Sequence, residues 1–415
     1  MNCFPHGSRN TLRTARPIAM FVAVLAALAL ASAQPSLAQT YTVLHNFTGA
    51  PDGAFPSSPL TSDGDGNYYG TTQSGGAFDK GTIFKVDTSG RVTVAYSFTG
   101  GDDGAAPAGR LIFHCCNGAF YGVTTAGGDA TCQCGTIYQF DPNVNLPILH
   151  IFTGRDNGYA PSGMVQINAN FWGVASGGKG TACNGGPCGV VFKCCNYSVK
   201  HRFTGGADGG LPGELTRDEA GDVEGNMYSA TTYPADGALF KIDKAGAFTS
   251  LFTFPGGAGG SLPGTPLLID ANGNIRGETA QGGDSSCAST GCGIVYEVDA
   301  AGNETVLHTF HTFRGGIAPS GGLLDVNGTL YGTTNQGGYL NCVPGCGVLF
   351  GISNIGQYSV LHFFQRTDGA FPDQKLTLGT NGSIYGVTSK GGTGTTGECH
   401  TAPVDGCGVV FKYIP

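Results

Sequence analysis

Gly53-Ala54-Phe55-Pro56, Tyr69-Gly70-Thr71-Thr72 and Gly81-Thr82-Ile83-Phe84 are three phrases of a single stretch, and all three return along the chain at intervals of about fifty residues. The first, Gly-x-x-Pro, recurs intact as Gly104 and Pro107, Gly158 and Pro161, Gly209 and Pro212, Gly260 and Pro263, Gly316 and Pro319, and Gly369 and Pro372. The second is repeated by Tyr121-Gly122-Val123-Thr124, Tyr331-Gly332-Thr333-Thr334 and Tyr385-Gly386-Val387-Thr388. Degenerate copies are Trp172-Gly173-Val174-Ala175, Tyr228-Ser229-Ala230-Thr231 and Arg276-Gly277-Glu278-Thr279. The third is a Gly-led apolar run, as in Gly189-Val190-Val191-Phe192 and Gly408-Val409-Val410-Phe411, and a last run ends in Phe, as in Val43 to Phe47. Internal repetition at this period is the signature of a repeat architecture.

Each run is short, rich in Val, Ile, Thr, Tyr and Phe, and bounded by Gly, Pro, Asn or Asp, which reads as a strand. No sustained apolar period near 3.6 residues competes with that reading. Four antiparallel strands per repeat give an all-β, seven-bladed β-propeller. With strand a after Gly-x-x-Pro, b carrying Tyr-Gly-x-Thr, c Gly-led and d ending in Phe, the chain starts on a d strand and ends on a c strand. Thr42 to Phe47 is therefore expected to pair with Gly408 to Tyr413, the N-terminal strand completing the C-terminal blade and removing an open edge.

Composition agrees. The 72 glycines with 40% hydrophobic and 12% charged residues describe a chain that turns often and still buries a core. A formal charge of −8 and the absence of a basic stripe exclude nucleic acid as a partner. Residues 1–38 read as a signal peptide: Arg9, Arg13 and Arg16 precede an apolar run from Ile18 to Ala31, and Ser36-Leu37-Ala38 supplies a small-x-small cleavage site. Residues 39–415 then form one propeller domain, secreted or periplasmic, with no membrane span in the mature chain. Only Cys3 of the 15 cysteines falls in the removed segment, and so many thiols suit an oxidising compartment.

Tyr-Gly-Thr-Thr, Gly-Thr-Ile-Phe-Lys-Val-Asp and Val-Leu-His-x-Phe together resemble the bacterial GloVer repeats, over residues 41 to 415. That resemblance implies an exported, propeller-like tandem-repeat protein and no established reaction. Members with C-terminal anchors differ from this chain at Val409 to Pro415, which closes the last repeat, so anchoring by that route is not expected.

Candidate site residues are the places where a repeat breaks its own rule. Trp172 and Arg276 replace the repeat Tyr, and Glu278 follows Arg276 by two residues. After the repeat proline most blades carry small residues, from which Arg110, Glu214, Asp373 and Lys375 depart. Trp172, the only tryptophan, is expected toward a ligand-bearing face built from the b–c loops and d–a turns.

His45, His150, His201, His308 and His362 recur one per blade in strand d, too far apart to share a metal ion, and read as packed polar residues. Asp52, Asp103, Asp208 and Asp368, with Asn157 in the third repeat, precede the repeat glycine and read as turn formers rather than calcium ligands. No metal or cofactor is expected, and neither a Gly-x-Ser-x-Gly elbow nor a His-Glu-x-x-His occurs.

Cys183 and Cys188, Cys287 and Cys292, Cys342 and Cys346, and Cys399 and Cys407 are expected to staple the b–c loops. Cys132 and Cys134 lie too close in sequence for an unstrained bridge. Cys115-Cys116 and Cys194-Cys195 fall in turns of neighbouring blades, on one face, where a bridge between the two pairs would tie the blades. The reading is an exported binding or scaffold module for a glycan, a cell-envelope component or a protein. A propeller enzyme acting on a glycan or other polymer, and a purely structural envelope or matrix protein, are the alternatives.

Overall fold

A computed structural model describes residues 39–142, 146–177, 183, 186–194, 196–217, 226–233, 236–287, 289–339, 342, 345–394, 399–400 and 404–415. Residues 1–38, expected from the sequence to be a signal peptide, and Cys195 lie outside the described residues. The chain forms seven four-stranded antiparallel sheets arranged as a β-propeller. Strand a is continuous in blade 2 (Ala105–His114) and blade 3 (Tyr159–Ile167), and in blade 1 it is two pieces, Ala54–Pro56 and Thr61–Ser62. Closure is as expected: Thr40–Asn46 is the d strand of blade 7, pairing with Val409–Ile414 from Thr40 opposite Ile414 to Asn46 opposite Val409.

The repeat phrases are explained by the joints between blades. The Phe that ends each d strand packs edge-on against the aromatic residue in strand c of the following blade. The ring centroids are 5.0 Å apart for Phe254 and Tyr296 and 5.4 Å for Phe364 and Phe411. Phe47 and Phe84 make the same contact at 5.1 Å across the closure. Gly70 of the Tyr-Gly phrase exists for this ring, because a Cβ there would stand 2.5 Å from the Phe84 ring.

A second seam joins each Gly-x-x-Pro to the blade before it. The residue before the proline is left-handed in all seven repeats, with φ from 45° at Ala160 to 58° at Phe55. For a non-glycine residue that conformation costs about 1 kcal/mol. Its amide then donates to the carbonyl just before the Gly-led strand of the preceding blade. Examples are Leu211 to Cys188 at 2.7 Å, Leu262 to Asp236 at 3.1 Å and, across the closure, Phe55 to Cys407 at 2.8 Å. Each such bond returns about 1 kcal/mol. The leading glycine of strand c is where the proline ring lands: a Cβ on Gly293 would lie 2.6 Å from Pro319 Cδ, and one on Gly408 would lie 2.6 Å from Pro56 Cδ.

The strand d histidines are packed as expected. His362 stacks on Tyr41 at 3.6 Å, His150 on Tyr197 at 3.8 Å and His308 on Tyr358 at 4.0 Å. The acid turns are turns. Asp52 accepts from the amide and hydroxyl of Thr48, and Asp208 accepts from those of Thr204. The same acids hold the histidines: His45 Nε2 lies 2.8 Å from Asp52, and His201 and His362 lie 3.1 Å from Asp208 and Asp368.

Blades 3 and 6 break this pairing, because the residue before the repeat glycine is Asn157 in one and Gly315 in the other. Burial without a carboxylate pushes the imidazoles of His150 and His308 down to about 4. The folded state therefore binds fewer protons than the unfolded chain between pH 6.5 and 4. Stability from these two sites is complete above 6.5 and is lost as pH falls toward 4. Asn157→Asp should move His150 from about 4 back toward 6.5 and lessen the acid loss relative to wild type. Histidine NMR titration and thermal melts read both effects, and an unmoved His150 would refute this account.

Candidate functional site

The innermost strands enclose a cavity of about 420 Å³ on the propeller axis. Its walls include Arg110 of blade 2, Glu214 and Arg217 of blade 4, and Lys375 of blade 7, over an apolar floor from Leu111, Ile112, Met164 and Val165. Thr61, Ser62, Gln166 and Thr216 add polar groups. Three residues chosen for breaking the repeat after its proline are thus brought to one place from three blades.

Hydroxyls and backbone fix this ring. Thr61 Oγ1 donates to the Leu111 carbonyl at 2.7 Å, and Thr377 Oγ1 to the Leu60 carbonyl at 2.7 Å, each crossing to the next blade. The Glu214 amide donates to Thr265 Oγ1 at 3.0 Å. Gly163 leaves room for the Glu214 side chain, since a Cβ there would lie 2.8 Å from its Cγ. Burial pushes the Glu214 carboxyl up, opposed by the Arg110 guanidinium, an Arg110 amide hydrogen bond and the Lys375 ammonium.

Glu278 and Asp373 stand behind this wall rather than in it. Glu278 is 1% exposed, accepts from the Gly322 amide at 2.8 Å, and is pushed up to about 8 by burial, with Lys375 pulling the other way. In the joint between blades 5 and 6 it takes the place that Thr333 takes between blades 6 and 7, where Thr333 Oγ1 donates to the Pro372 carbonyl at 2.9 Å. Asp373 is pushed up to about 6 by burial, while hydrogen bonds from Gln374 and Ser389 lower it. Its carboxylate accepts from Gln374 Nε2 at 3.2 Å.

Two sequence candidates lie elsewhere. Trp172, expected on a ligand-bearing face, is instead 2% exposed and shares a cluster with Val174, Val191, Phe203 and Leu215. Its indole fills the b-strand slot facing the next blade that Tyr69 and Tyr121 fill in blades 1 and 2, so packing explains it. Arg276 donates from Nε to Glu297 at 2.5 Å and sits 3.6 and 3.8 Å from Asp325 and Asp270, a charge cluster outside the cavity.

The cavity-lining Thr61, Gln166 and Arg217 were not singled out in the sequence. A signal was present: each is the fifth residue after its repeat proline, at Pro56, Pro161 and Pro212. The lining comes from the later parts of the a strands, toward the a–b turns. The b–c loops that carry the disulfides lie at the other end of the strands, so the cavity is not on the face that loop diversity suggested.

The four expected b–c loop pairs are bonded: Cys183 with Cys188, Cys287 with Cys292, Cys342 with Cys346 and Cys399 with Cys407. Cys132 and Cys134, whose pairing the sequence left open, are bonded as well. Gln133 between them is left-handed, with φ 52°. Of the proposed cross-blade set, Cys115 and Cys116 are exposed and Cys194 is buried in a cluster with Ala119 and Tyr121 of blade 2. Among the described residues no group of three or more His, Cys, Asp or Glu is placed to hold a metal ion, and no helix is long and apolar enough to cross a membrane.

Comparison with solved structures places the architecture. The chain matches a streptogramin B lyase structure at 13% identity and a TM-score of 0.58, covering 90% of this chain and 97% of the other. It matches the extracellular domain of a one-component system from B. thetaiotaomicron at 12% identity and a TM-score of 0.53, covering 91% of this chain and 41% of that one. At such identities the likeness is one of fold. No curated protein sequence matches the chain. Residues 32–186 and 179–400 match the model of the Gloeobacter/Verrucomicrobia repeat, and with that coverage the chain belongs to the Gloeobacter/Verrucomicrobia repeat family.

Proposed function

We propose that this chain is an exported binding module whose ligand occupies the axial cavity. The observation that carries this reading is the convergence of Arg110, Glu214 and Lys375 on one cavity from positions where the repeat otherwise places small side chains. A concave site with a few polar groups over apolar walls is the ordinary form of a small-ligand site. Export is supported by the character of residues 1–38 and by five bonded cysteine pairs. An enzymatic reading needs an acid and a base meeting at the substrate. Among the described residues Glu214 is the one carboxylate in the cavity wall, while Glu278 is enclosed in a blade joint, and this supports binding.

Incubating the mature protein with a panel of glycans and envelope components should give retention without product. Ser62→Trp, which fills the cavity from blade 1, should abolish retention while leaving the circular dichroism spectrum unchanged. Product formation would favour the enzyme. Retention indifferent to Ser62→Trp, and lost when the exposed loop residues Phe78 and Tyr339 are changed, would move the site to the stapled face.

A further inference from the structure

The cavity is charged in a way the chain as a whole is not. Acids outnumber bases in the chain, 29 to 21, yet among the described residues three bases and one acid line this space. Arg110, Arg217 and Lys375 come from blades 2, 4 and 7, so no single loop or helix accounts for their meeting. The acid, Glu214, is tethered to the wall by the Arg110 amide and wedged over Gly163. Arg217 is oriented by a 3.4 Å bond from Nη1 to the Gln166 carbonyl of blade 3. Low dielectric around the axis strengthens any anion that these groups meet.

The rest of the wall describes the remainder of a ligand. Ser62 Oγ can donate, Thr61 Oγ1 can accept beside its bond to the Leu111 carbonyl, Thr216 Oγ1 can donate beside its bond from the Leu267 amide, Gln166 keeps its amide oxygen, and Ile112 and Val165 offer apolar surface. Pyranose rings present that combination of hydroxyl edges and C–H faces. We propose that the axial cavity binds a carboxylate-bearing saccharide, a uronic acid oligomer, with its carboxylate at Arg110 and Lys375 and its hydroxyls at the Thr61, Ser62 and Gln166 side. This rests on the reading of the cavity as the ligand site. Burial pushes the carboxyls of Glu214 and Glu278 up, with Lys375 pulling both the other way.

Calorimetric titration of the mature protein at pH 7 with trigalacturonate, its methyl ester and acetate tests this. Trigalacturonate should bind, more weakly as salt is raised, and the ester should bind at least about tenfold more weakly, as expected for loss of a charge-assisted pair. Arg110→Gln and Lys375→Met should each weaken trigalacturonate by about tenfold, with Arg110→Lys losing less than Arg110→Gln. Near-UV circular dichroism confirms that the variants are folded.

Equal binding of acid and ester, or variants that bind trigalacturonate like wild type, would overturn the proposal. Acetate binding as tightly as trigalacturonate would overturn its saccharide part. If trigalacturonate fails to bind while another glycan is retained in a Ser62→Trp-sensitive way, the ligand class is wrong and the cavity reading stands. If retention ignores Ser62→Trp, the cavity reading itself falls.

Discussion

Gly293→Ala should lower the unfolding free energy by about 4 kcal/mol, whereas Gly273→Ala should lower it by about 1 kcal/mol. Both glycines are left-handed, with φ 94° and 82°, so both variants carry the strain of alanine in that region. They differ in space. A Cβ on Gly293 would lie 2.4 Å from the Thr279 carbonyl and 2.6 Å from Pro319 Cδ of the next blade, while the nearest atom to one on Gly273 is 3.9 Å away. Neither a backbone carbonyl nor a proline ring can swing aside, so the joint between blades 5 and 6 must open. Urea unfolding measures the difference. Equal losses in the two variants would mean that the repeat glycine serves conformation alone and that the proline seam carries no strain.

Repetition made the fold legible. Seven copies of Gly-x-x-Pro and of the Gly-led strand revealed blade number, strand order and closure, because every copy must satisfy the same joint: proline on glycine, and Phe on the aromatic of strand c. What repetition hides is the site. Arg110, Glu214 and Lys375 stood out against small neighbours and do meet on the axis, but Thr61, Gln166 and Arg217 are ordinary surface residue types and became visible only once strand direction fixed which side chains face inward. Trp172 misled because rarity was taken as a mark of recognition, when a b-strand position facing the adjacent blade rewards volume. Glu278 is a different case: its carboxyl replaces a hydroxyl in a blade joint, a substitution that sequence alone cannot separate from a ligand-binding carboxylate. Cys132–Cys134 stays open in the sequence because spacing alone cannot show that Gln133 turns left-handed.

Deleting residues 39–48 should leave a weakly stable chain that self-associates more than the full mature chain does, and a synthetic peptide of that sequence should restore it. The strand does three things at once. It pairs along the whole of Val409–Ile414, it puts Tyr41 on His362 at 3.6 Å with its hydroxyl donating to the Asp368 carbonyl at 2.7 Å, and it buries Phe47 completely against Phe84. Removing it exposes the outer edge of blade 7 and empties the joint to blade 1. Loss of the Phe47 ring alone is worth about 3–5 kcal/mol, so Phe47→Ala isolates the packing share from the pairing share. Light scattering and urea unfolding, each with and without peptide, read the outcome. A truncated chain that stays monomeric and unfolds at the wild-type midpoint would show that the blades hold their ring without the N-terminal strand, and an unresponsive truncated chain would show that the strand acts only during folding.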